Sequence, residues 1–263
     1  MKRLIGLLLL VVFLPAQAQE GAQKIVSCLR GNILPGSHVQ EIELAAYDVH
    51  GQTHVLKGKL TTTRENLPDA EGLLRAMLRI HAPAYIAGAS YLMRQMENRS
   101  FESTYVYLPS VRRVRRVSSE FADGSLLGTN FSYYDFTQLV NAFGDLNAKF
   151  EGTDKYEDRK VDLISFSARP GDTSSIYSSV RVRVDQKTCV PLMAEFYKGQ
   201  AVRKRFTASA QSLKKSKELW YLSEIEMKDL LDDTRTVLRI LSLETVDKLP
   251  ARIFEPNTFY LGD

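Results

Sequence analysis

Apolar and polar residues alternate with a period of two through most of this chain, and that period predicts β-strands joined by short turns. Ile42, Leu44 and Ala46 alternate with Glu41, Glu43 and Ala45, His50-Gly51 makes a turn, and residues 55–63 return as the second arm of a hairpin. Leu74, Ala76, Leu78 and Ile80 alternate with Arg75, Met77, Arg79 and His81, a third half-buried strand. Residues 91–95 and 105–108 predict a fourth and fifth. The pattern resumes over 161–166, 179–185, 192–197, 202–207, 219–227 and 236–243, separated by Pro170-Gly171, Asp185-Gln186-Lys187, Lys198-Gly199 and Asp232-Asp233. About eleven strands with hairpin connections and no βαβ rhythm predict one large antiparallel sheet, strongly curved or closed into a barrel. A short helix is expected over 23–30, with Ile25, Val26 and Leu29 on one side.

One interlude, residues 118–150, differs in kind. Phe121, Leu126, Leu127 and Phe131 sit among Gly124, Gly128 and small polar residues, and Phe136, Leu139, Val140 and Phe143 follow at helical spacing. Such a segment suits a cover over an opening, and equally a helix packed permanently on the sheet. Just before it, Arg112, Arg113, Arg115 and Arg116 crowd into five residues around Val111, Val114 and Val117. In an extended segment Arg113 and Arg115 share one face, Arg112 and Arg116 the other. Guanidinium groups on both faces are hard to bury unpaired, so an edge strand or exposed hairpin arm is expected. It reads either as a solvated edge that resists strand-to-strand aggregation, or as a contact for phospholipid headgroups or an acidic partner protein.

The N-terminus predicts export. Met1-Lys2-Arg3 is a positive start, Leu4 to Leu14 an almost unbroken apolar run, and Ala16-Gln17-Ala18 a small-x-small cleavage pattern, so residues 1–18 read as a signal peptide cut after Ala18. Residues 19–263 then form a single domain, with no Pro-, Gly- or Ser-rich linker dividing them. An oxidising compartment allows Cys28 and Cys189, the only cysteines, to bond; two free buried thiols are the alternative. Losing Lys2 and Arg3 takes the formal charge from +4 to +2. That near-balance argues against nucleic acid as a partner.

Candidate chemistry is sparse. His38, His50, His54 and His81 have no zinc-ligand spacing. Asp123-Gly124-Ser125 is too common a triplet to mark a nucleophile, and Glu224/Glu226 reads as a solvated strand face. Asn98-Arg99-Ser100 matches a glycosylation sequon. No metal, cofactor or catalytic constellation is called for, and the chain reads as a non-enzyme.

The run Tyr105-Val-Tyr-Leu-Pro-Ser-Val-Arg-Arg-Val-Arg-Arg-Val and the following Gly128-Thr-Asn-Phe-Ser-Tyr-Tyr-Asp-Phe resemble the outer-membrane lipoprotein-sorting family of Gram-negative bacteria. Within it the likeness is to LolA-like periplasmic proteins found beside RND/MMPL-type lipid exporters. It continues through Ser179-Val-Arg-Val-Arg-Val-Asp, Leu192-Met-Ala-Glu-Phe-Tyr-Lys-Gly and Phe259-Tyr-Leu-Gly. The resemblance implies a mainly β fold: a single curved antiparallel sheet forming an incomplete barrel, with helices covering its mouth. It implies a periplasmic, monomeric carrier that shelters the acyl chains of a lipid or lipoprotein during transfer toward the outer membrane. An inner-membrane exporter and an outer-membrane acceptor are the implied partners, with transient membrane contact. Cavity and lid candidates on this reading are Leu44, Leu78, Ile80, Tyr91, Met93, Leu108, Phe121, Leu126, Leu127, Phe131, Tyr134, Phe136, Leu139, Phe143 and Trp220. The arginines would face headgroups or a partner. The rival reading is a periplasmic adaptor that docks to an exporter and carries no lipid.

Overall fold

In a computed structural model, residues 14–64, 73–95, 103–140, 142–143, 146–169 and 175–262 are described. The charged start and most of the apolar run of the expected signal peptide, the Asn98 sequon and the Pro170-Gly171 separator lie outside them. The order of elements is α1 (Leu14–Gly31), β1 (Ser37–Tyr47), β2 (Thr53–Thr63), β3 (Arg75–Ala82), β4 (Ser90–Arg94), β5 (Ser103–Leu108), β6 (Arg113–Val117), α2 (Tyr133–Val140), β7 (Asn147–Tyr156), β8 (Arg159–Ser167), β9 (Ser179–Asp185), β10 (Pro191–Lys198), β11 (Ala201–Thr207), β12 (Leu213–Ser216), β13 (Leu219–Leu222), β14 (Glu224–Asp229) and β15 (Thr234–Val246). The first helix is longer than the expected 23–30.

Thirteen strands make one sheet in the order β6-β5-β4-β3-β2-β1-β15-β14-β11-β10-β9-β8-β7, with every pairing antiparallel. This corrects the expected eleven. Strand β6, expected only as an edge strand or exposed hairpin arm, stands outside the eleven, and β7 alternates exposed Asn147, Lys149 and Glu151 with half-buried Ala148, Phe150 and Gly152. The single strand expected over 219–227 is two: β13 pairs back on β12 as a separate ribbon, and only β14 joins the main sheet. Ser223 breaks the run, its N–H donating to the Ser212 carbonyl at 2.8 Å while its own carbonyl accepts from the Ile240 N–H at 2.9 Å.

The sheet is curled but open. Tyr91 on β4 lies 5.7 Å, ring to ring, from Tyr133, and Phe143 stacks at 5.2 Å on Phe166 of β8. Tyr133 and Phe143 are joined by little more than α2, about 15 Å of chain at the helical rise. In a flat sheet β4 and β8 would stand about 43 Å apart at the usual strand spacing. Only a sheet bent into a trough brings both walls to one short helix. Its two edges, β6 and β7, do not pair with each other.

The inner face holds the main apolar cluster, with Leu44, Leu78, Ile80, Tyr91, Ile164, Val182 and Phe206 from the strands and Ala22, Ile25 and Leu29 from α1. The outer face of β3–β6 carries a second cluster. There Met77 and Leu92 pack with Ile253, Phe254 and Phe259 of the C-terminal segment. Glu255 pairs with Arg94 at 3.2 Å and Arg75 at 3.6 Å, and the Arg79 guanidinium donates to the Tyr260 carbonyl at 2.9 Å.

Helix α2 is held by a buried polar knot. Ser132 caps it reciprocally: its hydroxyl accepts from the Asp135 N–H at 3.0 Å, and the Asp135 carboxylate accepts from the Ser132 N–H at 2.8 Å. The same fully buried carboxylate accepts from the Tyr177 hydroxyl at 2.8 Å and pairs with Lys204 of β11 at 2.9 Å. Burial, and then the Asp135 charge, push the Tyr177 hydroxyl above its ordinary pKa, so it stays a donor.

Cys28 and Cys189 are bonded, with Cα atoms 5.4 Å apart, across 161 residues. The β9–β10 turn that presents Cys189 is organised by Asp185. Its carboxylate accepts the Thr188 N–H at 2.8 Å and hydroxyl at 2.7 Å, and receives a bidentate Arg159 at 2.7 Å on both oxygens. Burial alone would raise the Asp185 pKa, but the Arg159 and Thr188 bonds outweigh it and hold the carboxyl below the usual range. A depressed folded-state pKa contributes stability at neutral pH that is lost as pH falls through it.

The unfolding midpoint in urea should therefore drop as pH falls below about 4, and Asp185→Asn should flatten that part of the profile. Asp135→Asn leaves Lys204 buried without its counter-charge and should lower unfolding free energy by about 3–5 kcal/mol. Cys28→Ala with Cys189→Ala should cost about 3–5 kcal/mol in the same assay and abolish the effect of reductant on the midpoint.

Candidate functional site

Under α2, between it and the trough, lies a partly open apolar cavity of about 280 Å³. Its floor is the inner face of the central strands: Ile42 and Leu44 of β1, Leu60 of β2, Leu78 of β3, Leu238 and Ile240 of β15 and Ile225 of β14. Alternation makes this floor, because residues two apart on a strand face the same way. Its cover is Leu126, Phe131, Phe136, Leu139, Val140, Ala142 and Phe143 from the interlude. One wall is built by Leu29, Asn32, Ile33 and Leu34 at the end of α1, by Cys189, Val190 and Pro191, and by Trp220, Tyr221 and Leu222 of the β12–β13 ribbon.

Asn32 ties that wall together. Its side-chain amide donates to the Thr188 carbonyl, and its side-chain oxygen accepts from the Trp220 N–H at 3.1 Å. Together with the Cys28–Cys189 disulfide, these bonds fasten α1, the β9–β10 turn and the ribbon at one place. Several residues around the cavity, Phe136, Leu139, Val140, Trp220, Leu222, Ile225, Leu238 and Ile240 among them, are only half-buried.

Of the residues singled out from the sequence, Leu44, Leu78, Leu126, Phe131, Phe136, Leu139, Phe143 and Trp220 line this cavity. Ile80, Tyr91, Met93 and Tyr134 are buried in the main cluster beside it, and Leu108 and Leu127 pack half-buried against that cluster. Phe121 is placed elsewhere: it is 68 % exposed. Tyr105 and Tyr107, in the run that carries the family resemblance, turn to the outer face, where Tyr107 stacks on Tyr260 at 4.3 Å. The end of α1 and, apart from Trp220, the ribbon were not among the residues singled out. The apolar residues of both were legible, but the ribbon had been read as one strand of the main sheet.

The arginines stand at the β6 edge, away from the cavity. Arg113 and Arg115 pair with Leu108 and Val106 across the ladder and so share the inner face, and Arg116 opposite Tyr105 shares the outer. Arg112 lies in the β5–β6 turn with φ 52°, not on the face of Arg116. All four are exposed, and none makes an ion pair among the described residues.

A second cleft, of about 460 Å³, is polar and lies on the other side of the 123–130 loop, among Tyr47, His54, Asp123, Asn130, Arg203 and Asp229. Its charges are mutually satisfied: Arg203 pairs with Asp229 at 2.8 Å and Asp232 at 2.7 Å. Ser125 donates its hydroxyl to the Thr129 carbonyl at 2.6 Å, and Asp123 pairs with Lys198. Glu224 and Glu226 pair with Arg239 and Arg235. His54 meets the Tyr85 hydroxyl, and His81 meets Glu41. Among the described residues no three His, Cys, Asp or Glu side chains gather as metal ligands, and no helix is long and apolar enough to cross a membrane.

Solved structures share this architecture. A protein described as an outer membrane lipoprotein-sorting protein domain, from Vibrio parahaemolyticus, matches with TM-score 0.79 at 18% identity, over 92% of this chain and 99% of its own. A DUF1329 family protein from Desulfovibrio piger matches with TM-score 0.82 at 16% identity, over 90% and 97%. A LolA superfamily protein from Nitrosomonas europaea matches with TM-score 0.70 at 19% identity, over 89% and 97%. No curated protein matches the chain. The family model described as "Uncharacterized protein" matches residues 72–260, well over half of the sequence, so the chain belongs to that family, and its fold is that of the LolA-like outer-membrane lipoprotein-sorting proteins.

Proposed function

We propose that this protein is a non-catalytic carrier that shelters the acyl chain of a lipid or lipoprotein in the cavity beneath α2. One observation carries the reading: a ring of large apolar side chains around the cavity remains half-exposed and leaves the space between them unfilled. A rigid core of this size would close-pack. Exposed apolar surface collected in a concave site is what a hydrocarbon guest requires.

Burial supplies the affinity without covalent chemistry. Each methylene removed from water contributes about 0.8 kcal/mol, so ten contribute about 8 kcal/mol before the costs of ordering, which corresponds to micromolar binding. The present volume sits at the lower edge of the roughly 300–1,000 Å³ usual for ligand sites. Accommodating a long chain therefore calls for α2 and the 121–131 segment to lift from the trough. The Asp135–Lys204–Tyr177 knot sits where it would set the ease of that movement. In this reading the leader directs export, and the mature chain works in the periplasm.

Native mass spectrometry of the protein after mild extraction should show a one-to-one lipid adduct. Leu139→Glu, which puts a charge against the guest from a half-buried position, should reduce retention at least about tenfold, while Leu139→Met retains it. Protein that stays empty after extraction and after incubation with lipid would favour the adaptor reading instead.

A further inference from the structure

The rim formed by the hairpin turns at one end of the sheet has no part in the cavity. Strands β1 and β2 meet at Tyr47 and Thr53, β14 and β15 at Asp229 and Thr234, and Tyr47 lies opposite Arg235, so these two turns stand side by side. Lys57 opposite Ala82 and Ser90 opposite Tyr107 place the β3–β4 and β5–β6 turns at the same end. In the strand order these are four neighbouring hairpins, each displaced from the next by two strands, or about 9–10 Å.

Each of the four turns bears one large exposed apolar side chain. These are Val111 on β5–β6 (40 %), Tyr85 on β3–β4 (72 %), Val49 on β1–β2 (59 %) and Leu231 on β14–β15 (75 %). Turns ordinarily use Gly, Asn, Asp, Ser or Pro for reasons of backbone geometry, and none of those reasons calls for an apolar tip. The next hairpin along, β10–β11, turns on Gly199-Gln200 and has none.

The charges on this rim have a direction. Asp232 pairs at 2.7 Å with the Arg203 guanidinium, which it shares with Asp229, and Asp233 pairs with Lys228 at 2.8 Å. Asp48 keeps its charge within its own turn, its carboxylate accepting from the His50 and Gln52 N–H groups. Arg112 and Arg113, exposed beside Val111, make no ion pair among the described residues. Among the described residues, the unpaired cationic groups of the tips thus lie at the β6 end of the rim, and Asp48 leaves a negative charge on the β1–β2 tip.

We propose that this rim is a docking surface for an anionic phospholipid bilayer. Separate apolar tips with polar residues between them do not form the contiguous patch of roughly 800 Å² that a stable protein interface buries on each side. A headgroup layer makes no such demand, because each side chain enters singly to a shallow depth while arginines meet phosphates. The proposal stands whether or not the cavity carries a lipid.

The test is sedimentation of the full protein with phosphatidylcholine vesicles prepared with and without phosphatidylglycerol. The protein should partition onto the anionic vesicles and release as salt is raised. Combining Val49→Ser, Tyr85→Ser, Val111→Ser and Leu231→Ser should weaken partitioning at least about tenfold with no loss of folded signal by circular dichroism. Arg112→Gln with Arg113→Gln should remove the preference for anionic vesicles. For placement, Leu231→Trp should shift its emission to the blue and be quenched by brominated lipid, whereas Leu241→Trp, exposed on β15 away from the rim, should do neither. Failure of the parent protein to bind anionic vesicles overturns the proposal. So does a serine variant that binds like the parent, or capture by the rim of an acidic protein with no vesicle binding.

Discussion

A thirteen-stranded antiparallel sheet with one apolar face cannot stay flat, and in this chain it does not close either. Flat, it would leave that face in water; closed, it would fill its centre with its own side chains or demand a far wider barrel. The compromise is a trough whose two edges remain apart, roofed by helices rather than by strands. Every other feature answers to that constraint. The interlude between β6 and β7 has to cross from one wall to the other, so it carries apolar residues at helical spacing where the rest of the chain alternates by two. The long first helix fills the trough beside β7, and the β12–β13 ribbon leaves the main sheet to seal what remains.

Polar and covalent ties, besides apolar packing, hold the covering elements in place. The Asp135 knot joins the roof helix to β11 through a fully buried carboxylate. The disulfide and Asn32 join α1, the β9–β10 turn and the ribbon. Between these ties sit side chains whose apolar surfaces are unfinished business for the fold itself, and that incompleteness is what gives the site its capacity for a hydrocarbon guest.

Much of this was readable in the residues. The alternation in 41–46 and 74–81 gave the inner and outer faces of β1 and β3 correctly, and the arginine run was placed at an edge because neither of its faces could be buried. The cysteine pair was left open between bond and thiols, since sequence separation carries no distance. Strand β7 escaped notice, and β6 was legible only as an edge strand or exposed arm outside the eleven, for a shared reason: edge strands have one neighbour and little burial, so their composition is freed from the pattern that marks interior strands. The run 219–227 misled because a continuous β-favouring stretch does not reveal that its backbone turns at Ser223 to serve two sheets. Phe121 misled in the opposite way, its aromatic ring suggesting shelter where the chain leaves it in solvent. Which side chains would share one cavity depended on the curl, a property of all thirteen strands together that no local window contains.

The disulfide also divides the trough unequally. Both of its partners belong to the half that ends in β7, because α1 lies along β7 and β8 and Cys189 follows β9. In the opposite half, the outer face of β3–β6 is backed, among the described residues, by the C-terminal segment through apolar packing and the Glu255 ion pairs. One jaw is riveted and the other merely clasped, so any widening of the trough is borne by the β6 side, and a reducing environment would take away the difference between them.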